Sequence, residues 1–261
     1  MKKLIAMLLA LTMVLAFAGC AKTEAPETTA APETEAVVDT APAATEEGVL
    51  DGGADIAVDA VLTHEEFMAA ELESVVTVET YVQGHQSWWD NKITVYCQSE
   101  DGAYFLYELA CSEEDAAKLV PGTKIRVTGD KAEWDGEVEI MNGTFEFVEG
   151  GDTYVAEALD VTELLGTDEL IAHMNEFVAF NGMTVEAIEY KNGEPGDDIY
   201  VTLGYNGASY EFCVEIYLTG AESEVYTTVG TLNVGDIVNV EDFLYWYNGA
   251  NPHITAISLA A

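Results

Sequence analysis

Leu119-Val-Pro-Gly122-Thr-Lys-Ile125-Arg-Val127, leading to Trp134-Asp-Gly136, returns in the second half of the chain as Leu232-Asn-Val-Gly235-Asp-Ile-Val238-Asn-Val240, leading to Trp246-Tyr-Asn-Gly249. A glycine followed at fixed offsets by two apolar residues, then by an aromatic turn, is a repeat, and a repeat fixes the architecture before any single motif does. Upstream of each copy, Thr63-His-Glu-Glu66 and Thr167-Asp-Glu-Leu open a short apolar-patterned segment with a capping residue and acids in its first turn. Alternating strands follow at Val76-Thr-Val78 and Val178-Ala-Phe180. The expected organisation is two copies of one module, at 61–151 and 152–261.

Turn residues and period-two alternation order the elements inside module one. The sequence predicts a helix over 63–72, strands over 75–84 and 92–99, a hairpin turn at Asp101-Gly102 and a strand over 103–110. A short helix capped by Ser112 and backed by Asp115 comes next, then strands over 124–132 and 137–147. Module two repeats the order around Asn206-Gly207, the strongest short hairpin signal. There Ile199, Val201 and Leu203 alternate against Tyr210, Phe212 and Val214 to make one apolar face.

Three meandering strands, a short helix and two further strands, the fourth opened by Gly-x-x-apolar-x-Val, resemble the OB-fold. Val95-Tyr-Cys-Gln-Ser-Glu-Asp101-Gly102-Ala-Tyr-Phe-Leu-Tyr107 and Val120-Pro-Gly122-Thr-Lys-Ile-Arg-Val127-Thr-Gly129 resemble the OB domains of exported bacterial proteins and surface lipoproteins. The resemblance implies a mainly β chain of two tandem five-stranded OB-like barrels, each with short helices. It leaves the ligand open, since the fold hosts oligonucleotide, oligosaccharide and protein binders.

In such a barrel, ligands lie across strands two and three and between the loops that join strands one to two and four to five. Those loops of module one carry Trp88 and Trp89 in the first and Trp134 in the second, and flat rings with a polar N–H stack on sugars or bases. Against this stands the reading that one indole plugs the barrel mouth and another covers the terminal helix. Tyr96 joins the candidate ligand residues if its strand face is outward. Two registers are compatible with the hairpin: one pairs Tyr96 with Tyr107 outside a core of Val95, Cys97 and Leu106, the other turns Phe105 and Tyr107 inward. Module two offers Trp246, flanked by Tyr245 and Tyr247, and reads as a structural or partner-docking copy.

The chain begins Met1-Lys2-Lys3 and continues with an uncharged apolar run from Leu4 to Ala18, the n-region and h-region of a secretory signal. The run is short for a membrane span, which takes roughly 20 apolar residues. Phe17-Ala18-Gly19-Cys20 resembles the bacterial lipobox. The resemblance implies removal of residues 1–19 and a lipid on Cys20, holding the protein on the extracytoplasmic face of the bacterial cell membrane. Residues 20–60 are rich in Ala, Thr, Glu and Pro with few large apolar side chains. Such a composition cannot offset its ordering entropy and reads as a disordered acidic tether.

The formal net charge of −39 and the single basic residue after Lys131, Lys191, argue against nucleic acid as a partner, because counterion release needs cations. Cys97, Cys111 and Cys213 lie in strands or at strand ends, where small buried thiols are common. The dispersed His64, His85, His173 and His253 lack the spacing of a zinc site. Gly193-Glu-Pro-Gly-Asp197-Asp198 carries oxygens without the spacing of a calcium loop. No metal, cofactor or catalytic constellation is therefore expected, and the sequence reads as non-enzymatic. The leading expectation is a lipoprotein that binds an envelope or environmental glycan, or a surface protein, through module one. The alternatives are a nucleic-acid-binding accessory protein of OB type, supported by the fold and opposed by the charge, and an assembly lipoprotein with no small ligand.

Overall fold

The computed structural model describes residues 60–260, all within one compact unit. The signal, Cys20 and nearly all of the tether lie outside these residues. The fold is mainly β. Helix α1 (His64–Ala69) opens with Thr63, whose hydroxyl accepts from the Glu66 N–H while the Glu66 carboxylate accepts from the Thr63 N–H, so both exposed donors of the first turn are satisfied. Its last carbonyls are met by Lys131, whose buried ammonium donates to the oxygens of Met68 and Ala70.

Strands β1 (Val75–His85), β2 (Lys92–Ser99), β3 (Gly102–Ala110), β4 (Lys124–Trp134) and β5 (Glu137–Phe147) close into a barrel in the order β1-β2-β3-β5-β4. Between β3 and β4 sits α2 (Glu113–Ala116), capped by the Ser112 hydroxyl on the Asp115 N–H. The barrel interior is packed with Val76, Val78, Val95, Cys97, Leu106, Leu109, Ile125, Val127 and Ile140. Each strand contributes alternate residues, as a half-buried pleat requires.

The β2–β3 hairpin differs from expectation. Ser99 pairs with Gly102, so the turn is Glu100-Asp101, one residue early, and Tyr96 faces Phe105 across the pair. Tertiary contacts move it. The place of a Cβ on Gly102 is filled by the His64 ring, and the Asp101 carboxylate accepts from the His64 N–H. Glycine is thus needed in the strand and not in the turn. Val95, Cys97, Tyr104 and Leu106 point inward, and Tyr96 and Phe105 point outward.

The second sheet holds β6 (Leu159–Asp160), β7 (Phe177–Tyr190), β8 (Ile199–Tyr205), β9 (Ala208–Val214), β10 (Ile237–Phe243) and β11 (His253–Leu259) in the order β10-β11-β9-β8-β7-β6, with β10 also paired to β7. Asn206-Gly207 makes the β8–β9 turn with both φ angles positive, as a two-residue hairpin loop demands. Helices α3 (Ile216–Thr219) and α4 (Glu224–Val229) link β9 to β10. Where Thr167-Asp-Glu-Leu suggests a helix, the chain makes 3-10 turns at Thr162–Leu164 and Leu170–His173.

Asp242 follows Val238 and Val240 on the buried side of β10, paired with the fully buried Val178 and Ile254. Neither of its carboxyl oxygens has a hydrogen-bond partner, and burial pushes the group well above the usual carboxylate range. An acid raised in this way contributes stability below its ordinary titration point and loses it as pH rises. A buried unsatisfied polar group costs about 1 to 3 kcal/mol. Asp242→Val should therefore melt higher than the parent at pH 8, by roughly 2 to 4 °C per kcal/mol for a domain of this size, with a smaller gain at pH 5. A variant that melts lower at pH 8 would show that the carboxyl is stabilising where it sits.

Candidate binding surfaces

The outward face of β2–β3, where the resemblance places a ligand, is covered by the second sheet. Tyr96 is 1% exposed and stacks on Phe243 with ring centroids 4.5 Å apart and planes 11° from parallel. Phe105 packs on Tyr245 at 5.1 Å, and Phe177 on Phe243 at 5.5 Å. Gly84 permits the approach, since a Cβ there would stand 2.9 Å from the Phe243 ring. Tyr96 is therefore corrected from a ligand contact to an interface residue. Nothing in its local pattern could tell an outward strand face that meets water from one that meets another sheet.

Polar groups close the same interface. The Tyr96 hydroxyl lies 2.7 Å from His253 Nδ1, and Glu215 accepts from Gln86 Nε2 at 2.7 Å. Glu137 is fully buried and accepts from Asn175 Nδ2 at 2.6 Å and from the Trp246 backbone N–H at 2.8 Å. Burial raises the Glu137 carboxyl to about 8 against the two hydrogen bonds that favour its ionised form. Burial likewise raises Glu215 to about 7 and lowers His253 to about 4.

The indoles do not meet at one rim. Trp88 packs against the barrel core and donates from Nε1 to the Cys111 carbonyl at 2.9 Å, so it plugs the barrel. Trp89 is 80% exposed and lines a hollow with Lys92, Glu108 and Tyr217. Trp134, 61% exposed, lines a different cleft, with Phe105, Tyr107 and Tyr245. It sits there because Asp135 and Gly136, both at positive φ, form a two-residue hairpin loop that pairs Trp134 with Glu137. Trp246 is half-buried against the second core and approaches Gly136, and the Asn248 N–H donates to the Asp135 carbonyl at 2.8 Å. It serves the contact between the sheets and not a separate ligand rim. Tyr217 and Tyr245 were outside the candidate ligand set. Their position follows from how the sheets pack and leaves no local signal.

Every described lysine and arginine is engaged. Lys92 pairs with Glu108, Lys118 with Glu114 and Asp115, Lys124 and Arg126 with Glu79, and Lys191 with Asp197 and Asp198, while Lys131 caps α1. Among the described residues no three His, Cys, Asp or Glu side chains are grouped to hold a metal ion. Cys97, Cys111 and Cys213 are free and buried, and burial pushes the Cys111 thiol up to about 11.

No family model matches the chain, and no curated protein sequence matches it. Solved structures that resemble it include a murine DNA-binding protein bound with double-stranded DNA, at 13% identity and a TM-score of 0.35 over 71% of this chain and 96% of the other. A second is the HINa domain of Ifi202 in complex with 20-bp double-stranded DNA, at 13% identity and a TM-score of 0.31 over 70% and 91%. A third is a replication protein A heterotrimer bound to single-stranded DNA, at 12% identity and a TM-score of 0.30 over 72% and 49%. The likeness is one of fold. These structures are DNA complexes, so the expectation of a glycan or surface-protein ligand, with nucleic acid set aside on charge, finds no support among them.

The buried interface acids give a pH dependence with a definite sign. Carboxyls raised by folding bind more protons in the folded state, so their stabilisation is lost as pH rises from their ordinary values through about 7 for Glu215 and about 8 for Glu137. The lowered His253 and His64 act oppositely, an effect that fades as pH rises through their ordinary value of 6.5. Above about pH 7.5 an ordinary imidazole is almost wholly neutral, so between there and about pH 8 the acids dominate and the melting temperature should fall, less so in Glu137→Gln. A parent melting temperature that is flat or rising there contradicts the burial of these groups.

Proposed function

We propose that this chain is a non-enzymatic binding protein of OB type, held on the outer face of a bacterial membrane by a lipid on Cys20 and displayed on an acidic tether. The lipobox-like Phe17-Ala18-Gly19-Cys20 and the composition of residues 20–60 support the anchoring. We take the second sheet to be a second barrel of the same kind. In its support, β7 pairs with both β8 and β10, and β11 lies parallel beside β9 as β5 does beside β3.

The ligand class that the exposed surface favours is single-stranded nucleic acid, gripped by its bases. The observation that carries this reading is the hollow beside β2, where Trp89 and Tyr217, 80% and 61% exposed, stand at the lip with Lys92. Exposed rings over a hollow fit sequence-tolerant base stacking. Since the described cations are already paired with carboxylates or carbonyls, the phosphates stay in solvent.

The test is fluorescence anisotropy with a labelled oligothymidylate. Stacking is worth about 1 to 3 kcal/mol per base, so Trp89→Ala with Tyr217→Ala should weaken binding at least about tenfold. Proteins that bind through phosphates lose about 10³ to 10⁵ in affinity between 50 and 200 mM salt. Here affinity should hold or rise over that range, as salt screens the repulsion between ligand and protein. Absence of binding, or a steep loss with salt, contradicts the reading.

A further inference from the structure

A second cleft, which adjoins the hollow at Trp89 through Gln86, opens between the two sheets with a volume of about 570 Å³, a size that suits a small molecule. Four benzenoid or indole rings line it, Phe105, Tyr107, Trp134 and Tyr245, with the His253 imidazole stacked on Tyr245 at 4.6 Å. Phe105 lies 5.1 Å from Tyr245 and 6.4 Å from Tyr107, and among the described residues no other ring packs on Trp134. Into this aromatic wall the chain puts an acid. Val138 and Ile140 of β5 face the first barrel's core, so Glu137, Glu139 and Met141 face outward, and Glu139 pairs with Phe105 at the cleft wall. Glu139 is 7% exposed, and among the described residues its carboxylate has neither a hydrogen bond nor a neighbouring cation. Burial alone raises it above the usual carboxylate range.

From the four rings around an unpartnered carboxylate that faces the cleft, we infer that this cleft binds a small organic cation of the quaternary ammonium class. The negative face of each ring attracts a cation within about 6 Å, and the attraction grows as the site excludes water. The formal charge of −39 raises the local concentration of cations around the protein. The Glu139 carboxylate opens on the cleft with no cation of the described residues beside it, and a bound cation supplies the missing charge. The lining also selects within the class. A primary ammonium brings three N–H donors that ring faces leave unsatisfied, and the other carboxylate, Glu215, is already engaged by Gln86. A quaternary ammonium has no donor to satisfy. A metal ion would need several ligands drawn together, and among the described residues no three His, Cys, Asp or Glu side chains are so grouped.

The test is isothermal titration of the full chain with choline and, separately, with its uncharged isostere 3,3-dimethylbutan-1-ol, following tryptophan fluorescence alongside. Choline should bind at least about tenfold more tightly than the isostere, a difference of about 1.4 kcal/mol, and should change the emission of Trp134. Glu139→Gln should lower choline affinity by about tenfold while leaving the thermal melt and binding of the isostere nearly unchanged, and Trp134→Ala should weaken choline more than it weakens the isostere. Glu139→Gln keeps the shape of the side chain and removes only the charge, so folding is preserved if the inference holds. Equal binding of the two probes, absence of choline binding, or unchanged affinity in a folded Glu139→Gln variant overturns it.

Discussion

The Tyr96 ring lying flat on Phe243 is the contact on which the rest of the arrangement depends. One ring comes from the outward face of the first barrel and the other from the end of β10. Around them Phe105, Phe177, Leu218 and Tyr245 make an apolar cluster distinct from the core of the barrel and the core of the second sheet. An offset aromatic pair gains about 0.5 to 1.5 kcal/mol beyond the area it buries. Because this cluster spans both sheets, the described residues behave as one unit, and the cleft and the hollow keep fixed walls. The face that most often carries ligand in such a barrel is thereby lost to solvent. Exposed rings remain at the margins of the contact, at Trp89 with Tyr217 and at Trp134 beside Glu139.

What the sequence made legible was whatever local chemistry decides. Thr63 and Ser112 cap their helices as their positions imply, and Asn206-Gly207 turns where an Asn-Gly pair between alternating runs should. Strand β5 spans the residues that alternation marks out. The failures share a cause. Asp101-Gly102 looks like a turn, but the His64 ring requires the glycine one position into the strand. Thr167 looks like a helix cap, but its hydroxyl donates back to the Leu164 carbonyl and the chain makes 3-10 turns on either side. Tyr96, Trp88 and Trp134 look alike as candidate ligand rings, and only packing separates the one under the second sheet from the one in the barrel mouth and the one at the cleft. These are long-range facts, and no window of sequence contains them.

The charge distribution shows the same division. A net charge of −39 suggests a surface that repels every anion. Yet Glu137, Glu139, Glu215 and Asp242 are buried or nearly so, and burial raises each of them toward neutrality. These interior acids make the fold sensitive to alkaline pH and, at Glu139, leave a carboxylate waiting for a positive charge. The cations that would ordinarily hold a phosphate are paired on the surface, so any nucleic-acid grip must come through rings.

A double-mutant cycle on Tyr96→Leu and Phe243→Leu, read by chemical denaturation, tests this account most directly. Residues in contact across an interface couple by about 0.5 to 3 kcal/mol, whereas distant and independent sites add within about 0.3 to 0.5 kcal/mol. The account predicts a coupling of about 1 kcal/mol, with each single variant lowering the stability of the whole unit in one transition. Additive effects, or a Tyr96→Leu variant as stable as the parent, would mean that the first barrel's face is free after all.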